Sequence, residues 1–161
     1  MEIKSDLKAI RRHFFKAHAS NLHVSMATVN SDGTPWVTPI GSFLLQRNGV
    51  GIYFEMFPRA LTQNLEKNPN VVVMAVNSGF WFWLKSILRG GFSFSPALRL
   101  IGRVGELRDP TEEEVKILSK RFDLFKGTKG HKLMWSRVGK VREIHFSDVA
   151  PVRIGRMTEF G

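Results

Sequence analysis

One loop of the sequence combines the residue types that bind a phosphate group. It joins a short apolar strand at residues 51–55 to a helix that Pro58 is expected to begin, with Arg59 next to it. The first turn of a helix has unpaired backbone N–H groups and a positive potential, which favour anions. An arginine adds a fork of donors that matches a phosphate, and Thr62 could add a hydroxyl. The loop therefore predicts an anion site, although many helices begin near an arginine without binding a ligand.

Other kinds of catalytic centre find little support in the sequence. The chain has no cysteine, which excludes disulfides, thiolate metal ligands and cysteine nucleophiles. His13 and His18 are five residues apart, a poor spacing for a shared metal ion, and no metal site is expected. There is no Gly-x-Ser-x-Gly nucleophile elbow. The acidic residues at 112–114 are explained by helix capping, so no catalytic residue can be assigned.

The charge balance leaves three classes of partner open. The chain has 24 Lys and Arg against 14 Asp and Glu. Such an excess is compatible with nucleic acid, an anionic membrane or an anionic small ligand, and also with a basic surface that binds nothing. The basic residues are dispersed and are densest at 126–142. Because no helix-turn-helix, zinc-finger or RNA-binding pattern is present, nucleic acid is the least favoured of the three.

The strands around the loop follow from alternating apolar residues and turn signals. Ser31-Asp32-Gly33 and Arg47-Asn48-Gly49 separate three strand-like runs, which predicts an antiparallel meander. Pro39 in the second run indicates an edge strand, a bulge or a barrel corner. The apolar run at 71–76 predicts a strand buried on both faces or inside a barrel. The predicted strands cover residues 23–29, 36–45, 51–55, 71–76, 98–107 and 142–146.

Three helices are predicted between and before these strands. Leucine, isoleucine and phenylalanine at helical spacing predict a helix at 5–18 that Ser5 caps. A short helix begins at Pro58 and stops at Asn68-Pro69. Thr111 to Glu114 form a capping box, which begins a helix whose apolar side extends to Phe125.

These elements favour an α+β fold, mainly antiparallel β, in the form of a closed or split β-barrel with peripheral helices. The length of 161 residues is that of one domain, so a single domain is expected over residues 1–161. Alternating βαβ units are not expected, because the first three predicted strands have no helices between them.

The order of motifs between Val24 and Val76 resembles that of the pyridoxamine 5′-phosphate oxidase-like flavoproteins, the FMN-binding split barrels. In that family a strand of the type "ATV..DG.P...P" precedes a basic residue, a helix "NL..NP.V" and an apolar strand. The residues that carry the resemblance are Ala27-Thr-Val, Asp32-Gly-Thr-Pro35, Pro39, Arg59, Asn64-Leu65, Asn68-Pro69 and Val71.

The resemblance implies FMN bound at the interface of a homodimer. It implies that Arg59 binds the FMN phosphate and that Thr62 and Gln63 contribute to the same site. The flavin ring would lie against Thr38, Pro39 and Ile40, and the ribityl chain against Phe54, Glu55 and Met56. Family members often have a second basic or hydroxyl residue after the one matched by Arg59. Here Ala60 and Leu61 follow, so a basic residue from 126–142 of a partner subunit is expected to compensate.

The implied function is an FMN-dependent oxidoreductase acting on a small molecule. Oxidation of pyridoxamine phosphate is not expected, because the residues that bind that substrate's phosphate have no match here. The alternative is a non-enzymatic module of the same fold that holds heme, deazaflavin or anionic lipid. A cytoplasmic location is expected, since the sequence has neither a secretory signal nor an apolar run of membrane-spanning length.

An aromatic-rich insert at 79–97 separates two predicted strands where a tight turn would suffice. Its segment 80–89, Phe-Trp-Phe-Trp-Leu-Lys-Ser-Ile-Leu-Arg, has three interpretations. Packing in the core or a dimer interface is favoured over a hydrophobic lid on the flavin. Peripheral membrane contact through the aromatic residues and the two cations is the third.

Overall fold

Seven antiparallel strands form one curled half-barrel sheet in the computed structural model. The structure describes residues 2–56, 59–123, 127–129 and 139–159, and for Arg59 it describes only the backbone. Four α-helices and a short 3-10 helix (Gly155–Thr158) surround the sheet within these residues. The predicted α+β split barrel with peripheral helices is therefore confirmed. The helices are α1 (Ile3–Asn21), α2 (Arg59–Lys67), α3 (Phe80–Arg89) and α4 (Glu112–Phe122). The strands are β1 (Val24–Val29), β2 (Pro35–Ile40), β3 (Leu44–Leu45), β4 (Gly51–Glu55), β5 (Asn70–Val76), β6 (Ala97–Arg108) and β7 (Lys140–Pro151).

The strand order, β2-β1-β5-β6-β7-β4-β3, corrects the predicted meander. The first two strands form one hairpin and β3 and β4 form another, and the two hairpins lie at opposite edges of the sheet. The run predicted at 36–45 is broken at residues 41–43, where the chain crosses from one edge to the other. Local apolar patterning does not mark this crossing, because both halves of the run are apolar. Pro39 does lie on an edge strand, where its missing N–H costs no ladder bond.

Helix α1 covers the inside of the half-barrel. Its buried stripe, Ile10, Phe14 and Ala17, packs in the main core with residues of β1, β4, β5 and β6. The helix is longer than the predicted 5–18, and its N-cap is Glu2, whose N–H donates to the Asp6 carboxylate at 2.9 Å. Ser5 therefore lies inside the helix, and its predicted capping role is wrong.

Strand β5 is buried on one face only, which agrees with the predicted alternative of a strand inside a barrel and excludes burial on both faces. Val71, Val73 and Ala75 are buried inside the half-barrel, whereas the residues between them are partly exposed on its outer surface. The capping box of α4 is confirmed, since Thr111 and Glu114 exchange both of its hydrogen bonds. Phe125, predicted for the apolar side of this helix, lies outside the described residues. None of the described helices is both long and apolar enough to cross a bilayer.

His18 and Arg121 connect α1 to α4 through a buried contact. The Arg121 Nη1 group donates to the Phe43 carbonyl at 2.6 Å and lies 3.2 Å from His18 Nε2. Burial, assisted by the charge of Arg121, lowers the pKa of His18 to about 4. Burial likewise lowers the pKa of Arg121 to about 10. His18 is therefore neutral in the folded protein at neutral pH and accepts a hydrogen bond from Arg121.

We expect the free energy of unfolding to fall as the pH is lowered from about 6.5 to about 4. Above pH 6.5, the usual pKa of histidine, His18 is neutral in both states and its contribution is complete. Below that pH His18 is protonated in the unfolded chain but stays neutral in the folded chain, which lowers the free energy of unfolding by up to about 3 kcal/mol. The variant His18→Gln keeps an acceptor and should flatten this dependence, as measured by urea unfolding at several pH values. The exposed His23→Gln variant is the control; equal slopes in both variants would contradict the assignment.

Candidate functional site

The junction between β4 and α2 is held by a buried hydrogen-bonded cluster centred on Glu55. One carboxylate oxygen of Glu55 accepts from the Thr62 hydroxyl at 2.6 Å. The other accepts from Arg142 Nε at 2.9 Å and from the Tyr53 hydroxyl at 3.2 Å. The Glu55 and Arg142 side chains are only 12% and 11% exposed. The last residue of β4 is thereby fixed to α2 on one side and to β7 on the other.

The protonation states of this cluster follow from its contacts. Burial opposes ionisation of Glu55, but hydrogen bonds from Thr62 and Arg142 outweigh it and hold the pKa of Glu55 below its usual value. Burial likewise disfavours the charged form of Arg142, yet the bond to Glu55 raises its pKa. Burial and the neighbouring carboxylate raise the pKa of Tyr53. A carboxylate, a guanidinium and a neutral phenol result at neutral pH, so the cluster is suited to positioning groups rather than to transferring protons.

The predicted phosphate site is only partly within the described residues. The described part of helix α2 starts at Arg59, while the Arg59 side chain and residues 57–58, including the Pro58 predicted to begin the helix, lie outside the described part. The Thr62 hydroxyl directs its proton to Glu55, so in this arrangement it donates to the carboxylate and not to an anion in front of the helix. Gln63 is exposed on α2.

The three residues predicted to lie against the ring fall on different faces of β2. Thr38 pairs with Met26, which is fully buried, so Thr38 faces the inside of the half-barrel. Its Oγ1 atom is buried and has no hydrogen-bond partner among the described residues. Pro39 is exposed on the opposite face, and Ile40 is buried in the core.

The residues predicted for the ribityl chain also separate. Glu55 belongs to the cluster described above. Phe54 is 3% exposed and packs with Leu118 and Val141 in a second apolar cluster beneath α4, with Met56 at its border. The side chain of Phe54 therefore points away from Glu55, and only its backbone can contribute to a site at the β4–α2 junction.

Sequence reasoning missed the roles of Tyr53 and Arg142. Arg142 lies in the range from which a partner's cation was expected, but here it binds Glu55 of its own chain. The sequence itself carried no clear signal, because the short run Val141 to Ile144 contains both Arg142 and Glu143 and so offers an adjacent carboxylate in place of Glu55. Residue 126 and residues 130–138 of the same range lie outside the described part.

The outer face of the sheet carries an apolar surface next to the exposed side of β2. Val37, Ala27, Val72 and Ile101 follow one another across four paired strands and so share this face. Val37 is 62% exposed and the others are partly exposed. On the same face of β6, Arg99 and Arg103 flank Ile101. The surface thus combines aliphatic side chains with two cations.

The comparisons with known proteins agree with this architecture. The family model described as pyridoxamine 5′-phosphate oxidase matches residues 13–145. Among solved structures, an FMN-binding protein from Syntrophomonas wolfei has a TM-score of 0.62 at 14% identity, with 95% of each chain covered. HutZ, the heme storage protein of Vibrio cholerae, has a TM-score of 0.52 at 15% identity, covering 94% of this chain and 95% of its own.

A third similar structure, an F420 reductase, has a TM-score of 0.54 at 20% identity and covers 80% of this chain and 89% of its own. At these identities the likeness establishes the fold alone. A search of curated protein sequences gave no match.

Proposed function

Because the chain belongs to the pyridoxamine 5′-phosphate oxidase family, we propose that it binds FMN and acts as an oxidoreductase on a small molecule. The observation that carries the proposal is the family match over residues 13–145, which includes both β2 and the β4–α2 junction. The fold is shared with an FMN-binding protein, a heme storage protein and an F420 reductase. The identity of the cofactor is therefore the part of the proposal to be tested.

Two features of the chain fit a bound FMN, the first at its phosphate and the second at its ring. The first is the start of α2, where the backbone N–H groups of the first turn and the Arg59 guanidinium would meet the phosphate. The second is the Thr38 hydroxyl, which is buried without a partner among the described residues. An unmade hydrogen bond of this kind costs about 1–3 kcal/mol, which a polar group of a ligand would recover.

The remaining residues would position the cofactor. Glu55 fixes the β4–α2 junction through Thr62 and Arg142, so the start of α2 has a defined place relative to the sheet. Thr38, Pro39 and the Ile40 backbone would border the ring. Glu55, Met56 and the Phe54 backbone would border the ribityl chain. Gln63 would lie near the phosphate. Bound FMN supplies a hydride acceptor and donor at its N5 edge, while the chain supplies binding and orientation.

A homodimer is part of this proposal. The outer sheet face with Val37, Ala27, Val72 and Ile101 leaves partly exposed aliphatic side chains beside β2. A second copy placed there would cover these side chains and exclude water from a ligand beside Pro39. The FMN-loaded protein should therefore have the mass of a dimer in light scattering.

The purified protein, or the protein loaded with FMN, should absorb at about 450 nm. We expect Arg59→Ala to weaken FMN binding about tenfold or more, because a charge-assisted hydrogen-bonded pair is lost. Riboflavin, which has no phosphate, should bind the variant and the unmodified protein equally. Fluorescence titration of both ligands measures this, with the exposed Arg47→Ala as the matched control of charge.

Thr38→Val tests the second feature by replacing the hydroxyl with a methyl group of similar size. It should weaken FMN and riboflavin equally while stabilising the unliganded protein. A colourless protein that takes up no FMN would reject the proposal. A Soret band, or preferential binding of deazaflavin, would replace FMN with one of the alternative ligands.

A further inference from the structure

Helix α3 presents a continuous apolar surface on its outer side. Phe80, Trp81, Ile87 and Leu88 are 61–77% exposed, which is unusual for four large apolar side chains on one helix of ten residues. At 3.6 residues per turn they lie within about a third of the helix circumference, together with Leu84. Ser86, on the opposite side, is buried.

The inner side of α3 fixes this surface rigidly to the fold. Trp83 Nε1 donates to the Asn77 carbonyl at 2.8 Å, and its ring meets Phe92 edge-on at 5.1 Å between centroids. Phe82 packs on the same Phe92 ring at 5.4 Å. The outer residues therefore remain exposed because the helix is held by its other side, and not because it is loosely attached.

Positive charge borders the apolar surface. Lys85 and Arg89 are exposed on its flank. Between Glu66 and Glu106 the chain contains no acidic residue. The Phe92 N–H donates to the Met157 carbonyl, which brings the segment of exposed Arg153 and Arg156 to the same end of the molecule.

We propose that α3 inserts its outer side into the surface of an anionic phospholipid membrane. Aromatic and leucine side chains on one side of a helix, with lysine and arginine on its flank, are the composition that lies in the headgroup region about 5–10 Å deep. Ten residues span only about 15 Å, half of a bilayer core, so the helix lies along the surface.

The charge of the protein favours lipid over a second copy of the chain as the occupant. A two-fold contact through α3 would bring Lys85 and Arg89 of both copies to one interface, in a protein with a net charge of +10. An anionic membrane instead complements every cation around the helix.

Co-sedimentation of the full chain with vesicles tests the proposal. Vesicles that contain phosphatidylglycerol should bind at least about ten times as much protein as vesicles of phosphatidylcholine alone. Added salt should reduce this binding. The Lys85→Glu/Arg89→Glu variant should lose this binding, as should Trp81→Ser/Leu88→Ser. Circular dichroism and thermal unfolding check that the variants are folded, which we expect because the changed side chains are exposed or partly exposed.

Two control variants make the same kinds of change on exposed positions of helices α1 and α4. Lys116→Glu/Lys120→Glu carries the same change of charge on α4, and Phe15→Ser/Ile117→Ser removes exposed apolar side chains of α1 and α4. Both should retain vesicle binding. Equal binding to both vesicle types, no binding at all, or equal losses in the α3 and control variants would overturn the proposal. So would a dimer in lipid-free solution that only the α3 variants dissociate, because a second copy would then cover the helix.

Discussion

Replacing Arg142 with methionine is expected to destabilise the folded protein by about 3 kcal/mol at neutral pH. The substitution leaves the Glu55 carboxylate, 12% exposed, without its cation but keeps the aliphatic bulk of the side chain. An uncompensated buried charge typically costs about 3–5 kcal/mol, and the value here is at the lower end because Thr62 and Tyr53 still donate to Glu55. Urea unfolding at pH 7 measures the loss.

The pH dependence identifies Glu55 as the cause. In the unmodified protein the pKa of Glu55 is lowered, so its contribution is complete above the usual value of about 4.5 and is lost as the pH falls through the folded-state pKa. Without Arg142 the carboxyl prefers to be protonated, and the cost of the substitution should shrink below about pH 4.5. Glu55→Gln/Arg142→Met should be more stable than Arg142→Met alone. A loss of less than about 0.5 kcal/mol, the range of an exposed Arg47→Met control, would contradict the assignment.

Gly102→Ala is the second substitution with a large expected effect. A Cβ at this position would overlap the His145 carbonyl oxygen and lie 2.9 Å from the Phe146 Cα. Both are backbone atoms of β7, brought close where the register of β6 and β7 shifts between Ile101 and Gly102. Because neither can move without distorting the longest strand pair of the sheet, we expect a loss of about 3 kcal/mol.

Gly105→Ala is the matched control on the same strand. Its Cβ would first meet the His145 ring, at 3.2 Å, and this side chain is 60% exposed and can rotate away. The control should cost about 1 kcal/mol or less. Thermal unfolding of both variants makes the comparison. Equal losses would show that the close approach of β7 to Gly102 is not the cause.

The sequence predicted elements whose signals are local. The bounds of β4 were predicted as found, and the capping box of α4 and the edge position of Pro39 were confirmed. Each depends on a few adjacent residues. The predicted meander was wrong, because strand pairing depends on contacts between residues far apart in the chain.

The candidate site was harder to predict for the same reason. Glu55 and Arg142 are 87 residues apart, and the residues around each of them give no indication that the two side chains pair. Helix α3 was not recognised because its outer side is as apolar as its inner side, so the alternation of polar and apolar residues that reveals a surface helix is missing. The roles of Thr38, Arg59 and Gln63 stay predictions.

The position of β4 between β3 and β7 also has a consequence for synthesis on the ribosome. Apart from its own short hairpin, β4 has no neighbour in the sheet until β7 has been made. At roughly 5–20 residues per second, the 87 residues from Glu55 to Arg142 take roughly 4–17 s to translate. During that time Ile52 and Phe54, buried in the finished protein, lack their β7 partners and are available to chaperones. The nascent chain therefore completes one edge of its sheet only when nearly all of the described residues have been synthesised.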